Sequence, residues 1–186
     1  MRALTADFFI SLDGFASGID QPPYFGFFGP DLADWVRRHL AQPQVILMGR
    51  VTYQALAQFS ATADDEVSLR MSELPKLVAS STLKEPLPWK NTRLLTGDAA
   101  DGIALLKCQP GDPLRSIGSL SLIKNLFQRG LVDRLRLMVF PLILGAAGRE
   151  PVFEAYPLAH LELVETKILD SRLLLLEYRP TLHQRS

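Results

Sequence analysis

The sequence predicts an α/β protein built on a mixed, mostly parallel sheet that ends in antiparallel strands. Three observations predict it. Up to Leu135, short apolar runs of strand length alternate with segments of helical periodicity, the pattern of parallel βα units. From Leu135 onward the apolar runs Leu135 to Phe140, Leu161 to Leu169 and Arg172 to Tyr178 follow one another with no helix between them. Asp170-Ser171, between the last two, reads as a hairpin turn, so these strands run antiparallel.

Leu4 to Leu12 reads as a buried strand ending at Asp13-Gly14. Residues 18 to 30 form a loop rich in Gly, Pro and aromatics, including Tyr24, Phe25, Phe27 and Phe28; it reads as a hydrophobic lid or an interface patch. Asp31 starts a helix with Leu32, Trp35, Val36 and Leu40 on one face. Val45 to Met48 is too short for a helix and reads as a strand, and Gly49-Arg50-Val51-Thr52-Tyr53 opens a helix through about Gln58. Residues 60 to 73 are polar and ambiguous, with room for a short helix. Lys76 to Ala79 is a strand ending in Ser80-Ser81-Thr82. After a proline-rich connection come a short strand at Arg93 to Leu95, a helix from Asp98 to Lys107 weakened by Gly102, and a strand from Leu114 to Ile117. Gly118-Ser119 is a tight turn with Ser119 at an N-cap position. Leu120, Ile123, Leu126 and Phe127 mark the helix that follows, and Gly130 its C′ stop.

The chain has 186 residues, enough for one domain spanning 1–186 with a substantial core. Twenty basic and twenty acidic residues cancel, so no bulk field favours nucleic acid or an anionic membrane. The lone Cys108 rules out an intramolecular disulfide, and the absence of a signal-peptide pattern at Met1-Arg2 points to the cytoplasm. No apolar run approaches the roughly 18 residues of a membrane span. His39, His160 and His183 lie far apart, so no metal is expected.

Three strand ends carry groups that bind phosphate or ribose. Gly49, Arg50 and Thr52 combine a guanidinium fork with a helix N-terminus. Ser80, Ser81 and Thr82 offer hydroxyls, and are also ordinary loop formers. Gly118, Ser119, Leu120 and Ser121 form a second strand–turn–helix junction. In a parallel sheet all three open on one edge, where ligands bind. Three carboxylates are candidates for substrate contact. Asp13 ends the first strand, or simply makes an Asp-Gly turn. Asp31 and Asp34 lie on the first helix; one faces the cleft, or Asp31 caps the helix and Asp34 is solvated.

Ser11-Leu12-Asp13-Gly14-Phe15, Leu47 through Tyr53, Val78 through Leu83, Gly118-Ser119 through Leu135, and Pro141-Leu142-Ile143-Leu144-Gly145 occur in one order along nearly the whole chain. Together they resemble the dihydrofolate reductase-like superfamily, in particular the C-terminal reductase domain of the riboflavin-biosynthesis deaminase-reductase and its stand-alone relatives. The resemblance implies a three-layer fold with helices on both sheet faces and NADPH along the C-terminal edge of the strands. It implies that Arg50 and Ser80 or Ser81 meet the 2′-phosphate, that Thr52 and Gly118 to Ser121 meet the pyrophosphate, and that hydride leaves a nicotinamide near Asp13. It also implies a homodimer. The expected activity is NADPH-dependent reduction of a small heterocyclic or carbonyl substrate, with 5-amino-6-(5-phosphoribosylamino)uracil reductase as the nearest named activity. Dihydrofolate reduction, and nucleotide binding without turnover, are the alternatives. The chain departs from the riboflavin reductases at Ile117, where they place an acidic residue, and at Ser119, their second glycine.

Overall fold

Alternation along the first strand, β1 (Leu4–Ser11), sets the architecture. Leu4, Ala6, Phe8 and Ile10 point to one face and are all at most 4% exposed. Asp7 and Phe9 point to the other, as period-2 side-chain geometry requires. The computed structural model describes residues 1–183. After β1 come β2 (Phe15–Gly18), α1 (Pro30–Ala41), β3 (Val45–Gly49), α2 (Arg50–Thr62), α3 (Glu66–Glu73), β4 (Lys76–Ala79), β5 (Thr92–Leu95), α4 (Ala99–Cys108), β6 (Leu114–Ile117) and α5 (Leu120–Gln128). The last part holds β7 (Arg134–Phe140), β8 (Gly148–Pro151), β9 (Ala159–Leu169) and β10 (Leu173–Leu182).

Eight strands form one sheet in the order β5-β4-β3-β6-β1-β7-β10-β9. The pairs from β5 to β7 are parallel, and β10 and β9 add antiparallel to β7 and to each other. The expected mixed sheet is therefore present. Helices cover both faces. Ala100 and Ile103 of α4 and Leu122, Ile123, Leu126 and Phe127 of α5 pack with Leu4, Phe8, Leu47 and Leu114. Leu32, Trp35, Val36 and Leu40 of α1, with Tyr53 of α2, pack with Ile46, Met48, Val78 and Phe140 on the other face. Ile46 and Met48 face one layer and Leu47 the other, so the apolar run of β3 is buried on both sides.

Several local expectations hold. Gly130 has φ +66°; its N–H donates to Phe127 O, and Leu131 N–H donates to Leu126 O. These two bonds make the Schellman stop of α5. Asp170 and Ser171 both have positive φ (50° and 55°), as a type I′ hairpin turn requires. Gly102 sits inside α4 because a Cβ there would lie 2.9 Å from Leu95.

Others are corrected. The first strand stops at Ser11, leaving Leu12 63% exposed. The helix opened by Arg50 runs to Thr62, and the ambiguous stretch holds α3, capped by Asp65, whose carboxylate accepts from Val67 N–H and Ser68 N–H. The two-stranded antiparallel sheet of β2 and β8 carries no recognisable sequence pattern, because each strand has four residues, neither is fully buried, and the two are far apart in the chain. The aromatic loop packs back on the sheet instead of lining an open groove. Phe25 is buried against Phe140, and Tyr24 packs on Phe9 with 5.3 Å between ring centroids, leaving Phe28 as its half-exposed ring. Ser119 does not cap α5: it adopts a left-handed backbone (φ 64°, ψ 61°), and its side chain bonds elsewhere.

Candidate active site

Because β4, β3, β6 and β1 lie side by side and run parallel, their C-terminal ends open on one edge, as the α/β crevice rule requires. A cleft of about 920 Å³ lies there. Gly49, Arg50 and Thr52 from the β3–α2 junction line it. So do Ser80, Ser81 and Thr82 from the end of β4, and Gly118, Ser119, Leu120 and Ser121 from the β6–α5 junction. All ten residues singled out for phosphate and ribose binding thus meet in one cavity.

The local chemistry explains how. Gly118 takes φ +62°, a conformation natural to glycine, and turns the chain from β6 into α5. Neither α2 nor α5 has a side-chain N-cap bond. The first backbone N–H groups of both helices therefore lack an intrahelical or capping side-chain partner and lie at the cleft. The Ser119 hydroxyl ties the two junctions together: it accepts from Gly49 N–H at 2.7 Å and donates to Thr52 Oγ1 at 2.8 Å. Arg50 is exposed, and its Nη1 donates to Gln54 Oε1 at 3.2 Å. Ser80 Oγ accepts from Thr82 N–H and Leu83 N–H, both at 3.1 Å, so Ser80 shapes its loop while Ser81 and Thr82 stand exposed at the lip.

The three candidate carboxylates do not line this cleft. Asp13 is an anchor for the turn after β7. It accepts from Ser11 Oγ (2.7 Å), Leu144 N–H (3.1 Å) and Gly145 N–H (2.8 Å). Those bonds, the Ser11 hydroxyl first, hold its carboxyl below the usual range. Asp31 accepts from Asp170 N–H at 2.8 Å and so holds the β9–β10 turn. Asp34 pairs with Arg37 and Arg38 on the outside of α1, both at 2.5 Å. Each carboxylate has a structural partner because it sits at a turn or on a helix face pointing away from the strand ends.

Apart from Ile117, no sequence motif marked the inner end of the cleft. Asp7, Phe9, Leu56, Arg115 and Ile117 line it, and Ala16, Asn125 and Glu150 line its other side. Asp7 and Arg115 are only 4% and 7% exposed. The available signal was a charge inside each apolar strand, Leu-Thr-Ala-Asp-Phe-Phe-Ile and Leu-Arg-Ser-Ile. A charge is almost never buried without a partner, and these two pair with each other.

The profile of the RibD C-terminal domain family matches residues 2–175. An uncharacterised Bacillus subtilis protein, YyaP, is 26% identical over 185 residues, covering 95% of this chain and 94% of its own. Among solved structures, a candidate riboflavin biosynthesis protein from Shewanella sp. PV-4 superposes with a TM-score of 0.71 at 20% identity, over 96% of this chain and 99% of its own. The deaminase and 5-amino-6-(5-phosphoribosylamino)uracil reductase of Thermotoga maritima superposes with a TM-score of 0.66 at 16% identity, over 97% of this chain and 57% of its own.

Proposed function

From the premise that this chain belongs to the RibD C-terminal domain family, we propose that it is an NADPH-dependent reductase of a small heterocyclic or carbonyl substrate. The observation that carries the proposal is the single cleft shared by two helix N-termini, the Arg50 guanidinium and the Ser81 and Thr82 hydroxyls. That donor set suits a ligand with several phosphates. Its volume, about 920 Å³, is at the upper end for small-molecule sites and has room for a dinucleotide.

In this reading Arg50 and Ser81 hold the 2′-phosphate, and the N-termini of α2 and α5 with Thr52 hold the pyrophosphate. The bound cofactor supplies a hydride. The chain's own residues bind, orient and exclude water. Phe9, Leu56 and Ile117 form an apolar inner wall, and Phe9 is fixed by edge contacts to Trp35 and Phe140. The test is a fluorescence titration with NADPH and NADH, followed by NADPH oxidation with a panel of heterocycles and carbonyls. Tighter binding of NADPH with turnover supports the reading. Binding without turnover of any panel member supports a nucleotide-binding protein instead. No binding of either cofactor removes both.

We also propose a homodimer formed through the β9–β10 end of the sheet. Leu161, Leu163, Ile168 and Leu174 are between 39% and 66% exposed there. In register, Ile168 faces Leu174 and Leu163 faces Tyr178 on adjacent strands, which makes a continuous apolar surface next to an edge strand. A second copy would cover both.

A further inference from the structure

Beneath the inner end of the cleft runs a chain of charges, buried at Asp7 and Arg115 and half-buried beyond them. Arg115 pairs with Asp7 (Nε to Oδ2, 2.6 Å), and Asp7 Oδ1 accepts from Arg136 Nη1 at 3.3 Å. Arg136 then grips Glu177 through Nε and Nη2 (3.0 and 2.8 Å), and Glu177 also meets Arg134 at 3.2 Å. Three guanidinium groups thus stand against two carboxylates, leaving one positive charge in excess. Arg115 and Arg136 both lie over the Trp35 ring, 5.6 and 5.5 Å from its centroid. A buried ionic chain is costly to keep where an apolar core would serve for stability alone.

The two inner arginines are not equivalent. Arg136 spends all three nitrogens on Glu177 and Asp7 and does not line the cleft. Arg115 lines the cleft. Its Nε and Nη2 are committed to Asp7, while Nη1 has, among the described residues, only Gln44 Oε1 at 3.5 Å, the outer limit of a hydrogen bond. The under-used donor therefore belongs to the arginine at the cleft, beside the apolar wall of Phe9, Leu56 and Ile117.

We infer that Arg115 is the substrate-reading residue of this site, donating from Nη1 to an acceptor oxygen on a planar substrate. The substrate's inner edge carries a carbonyl or carboxylate oxygen rather than an amino or amidinium group. Asp7 is a positioning residue that holds the guanidinium plane, and the remaining guanidinium donor favours oxygen that is, or becomes, negative. This inference rests on the proposed reductase reading only for the role of the bound molecule as substrate; the recognition chemistry stands on the cleft alone.

The experiment uses two probes of one shape, benzoate and benzamidine, which differ in whether the edge accepts or donates. Each is titrated into wild type by calorimetry, with and without saturating NADPH. Wild type should bind benzoate at least tenfold more tightly than benzamidine, and Arg115→Lys, which keeps the charge but loses the fork, should reduce that preference at least tenfold. Equal binding of the two probes, tighter benzamidine binding, or no benzoate binding up to millimolar concentration overturns the inference. So does a folded Arg115→Lys protein, checked by circular dichroism, with an unchanged preference. If that variant does not fold, the wild-type preference measured with NADPH saturating, when the donors of Arg50 and of the two helix N-termini are filled, decides the matter. Failure of NADPH to bind, with a benzoate preference that Arg115→Lys reduces, removes the reductase reading and leaves Arg115 as an acceptor-reading residue.

Discussion

Asp31 and Asp170 cap each other across the molecule. Asp170 Oδ1 accepts from Asp31 N–H at 2.8 Å, and Asp31 Oδ2 accepts from Asp170 N–H at 2.8 Å. Asp170 also accepts from Leu32 N–H at 3.2 Å, so it serves as the N-cap of α1 from the distant β9–β10 turn. Gly29 fills the local cap position because a Cβ there would fall 2.4 Å from the Asp170 carboxyl carbon.

Asp170→Ala should therefore destabilise the protein by about 1–2 kcal/mol, the range for losing a good helix cap. Gly29→Ala should be poorly tolerated for steric reasons. Urea unfolding measures both. A loss from Asp170→Ala below about 0.5 kcal/mol would show that water replaces the cap freely.

Arg50→Ala should weaken NADPH by about 1.5–3 kcal/mol, the range for a hydrogen bond to a charged group, and leave NADH nearly unchanged. Arg50 starts α2 at the cleft, and its contact with Gln54 leaves guanidinium donors free. Equal losses for the two cofactors would assign Arg50 another role.

His39 makes stability depend on pH. Burial, chiefly, pulls its pKa below the ordinary 6.5, with the charges of Arg136 and Arg115 acting in the same direction; the Trp35 carbonyl, which accepts from Nδ1 at 2.8 Å, opposes them in part. Below pH 6.5 the unfolded chain takes up a proton that the folded one refuses, so stability falls with pH until the folded histidine also titrates. Thermal unfolding from pH 7.5 to 5 should show this fall, and His39→Gln should flatten it. An equal slope in the variant would assign the effect elsewhere.

Ile117 places a sec-butyl group on the cleft wall where the resembled riboflavin reductases carry an acid. A site that lacks a polar partner for its substrate loses orders of magnitude in discrimination. Activity on 5-amino-6-(5-phosphoribosylamino)uracil should accordingly be weak or absent. A kcat/KM above roughly 10⁴ M⁻¹s⁻¹ on that compound would restore the plain family activity.

The proposed dimer has its own test. Light scattering at micromolar concentration should report twice the mass of a 20.7 kDa chain. Ile168→Lys, at a side chain 66% exposed, should shift it to monomer without unfolding it. A wild-type monomer would leave the β9–β10 surface for another partner.

Local chemistry alone made much of this protein legible. The bounds of β4 and β6 follow from apolar runs too short to be helices, and the buried face of α1 from apolar spacing of helical period. Gly130 and Asp170-Ser171 were readable because positive φ is costly for most residues and turns that need it select their sequences. The convergence of Gly49 to Thr52, Ser80 to Thr82 and Gly118 to Ser121 on one cleft was readable too: strand–turn–helix junctions are local, and parallel pairing puts them on one edge whatever the side chains do. What the sequence could not determine was the partner of each charge. Asp13, Asp31 and Asp34 look like free carboxylates until the turns at 144–145 and 170 and the neighbouring arginines are brought beside them. Asp7 and Arg115 are 108 residues apart and meet only because the sheet lays β6 beside β1. Ser119 reads as a cap until Gly49 and Thr52 arrive to take its hydroxyl. Hydrogen bonds and ion pairs are directional and short-ranged, so the fold alone decides who is within reach.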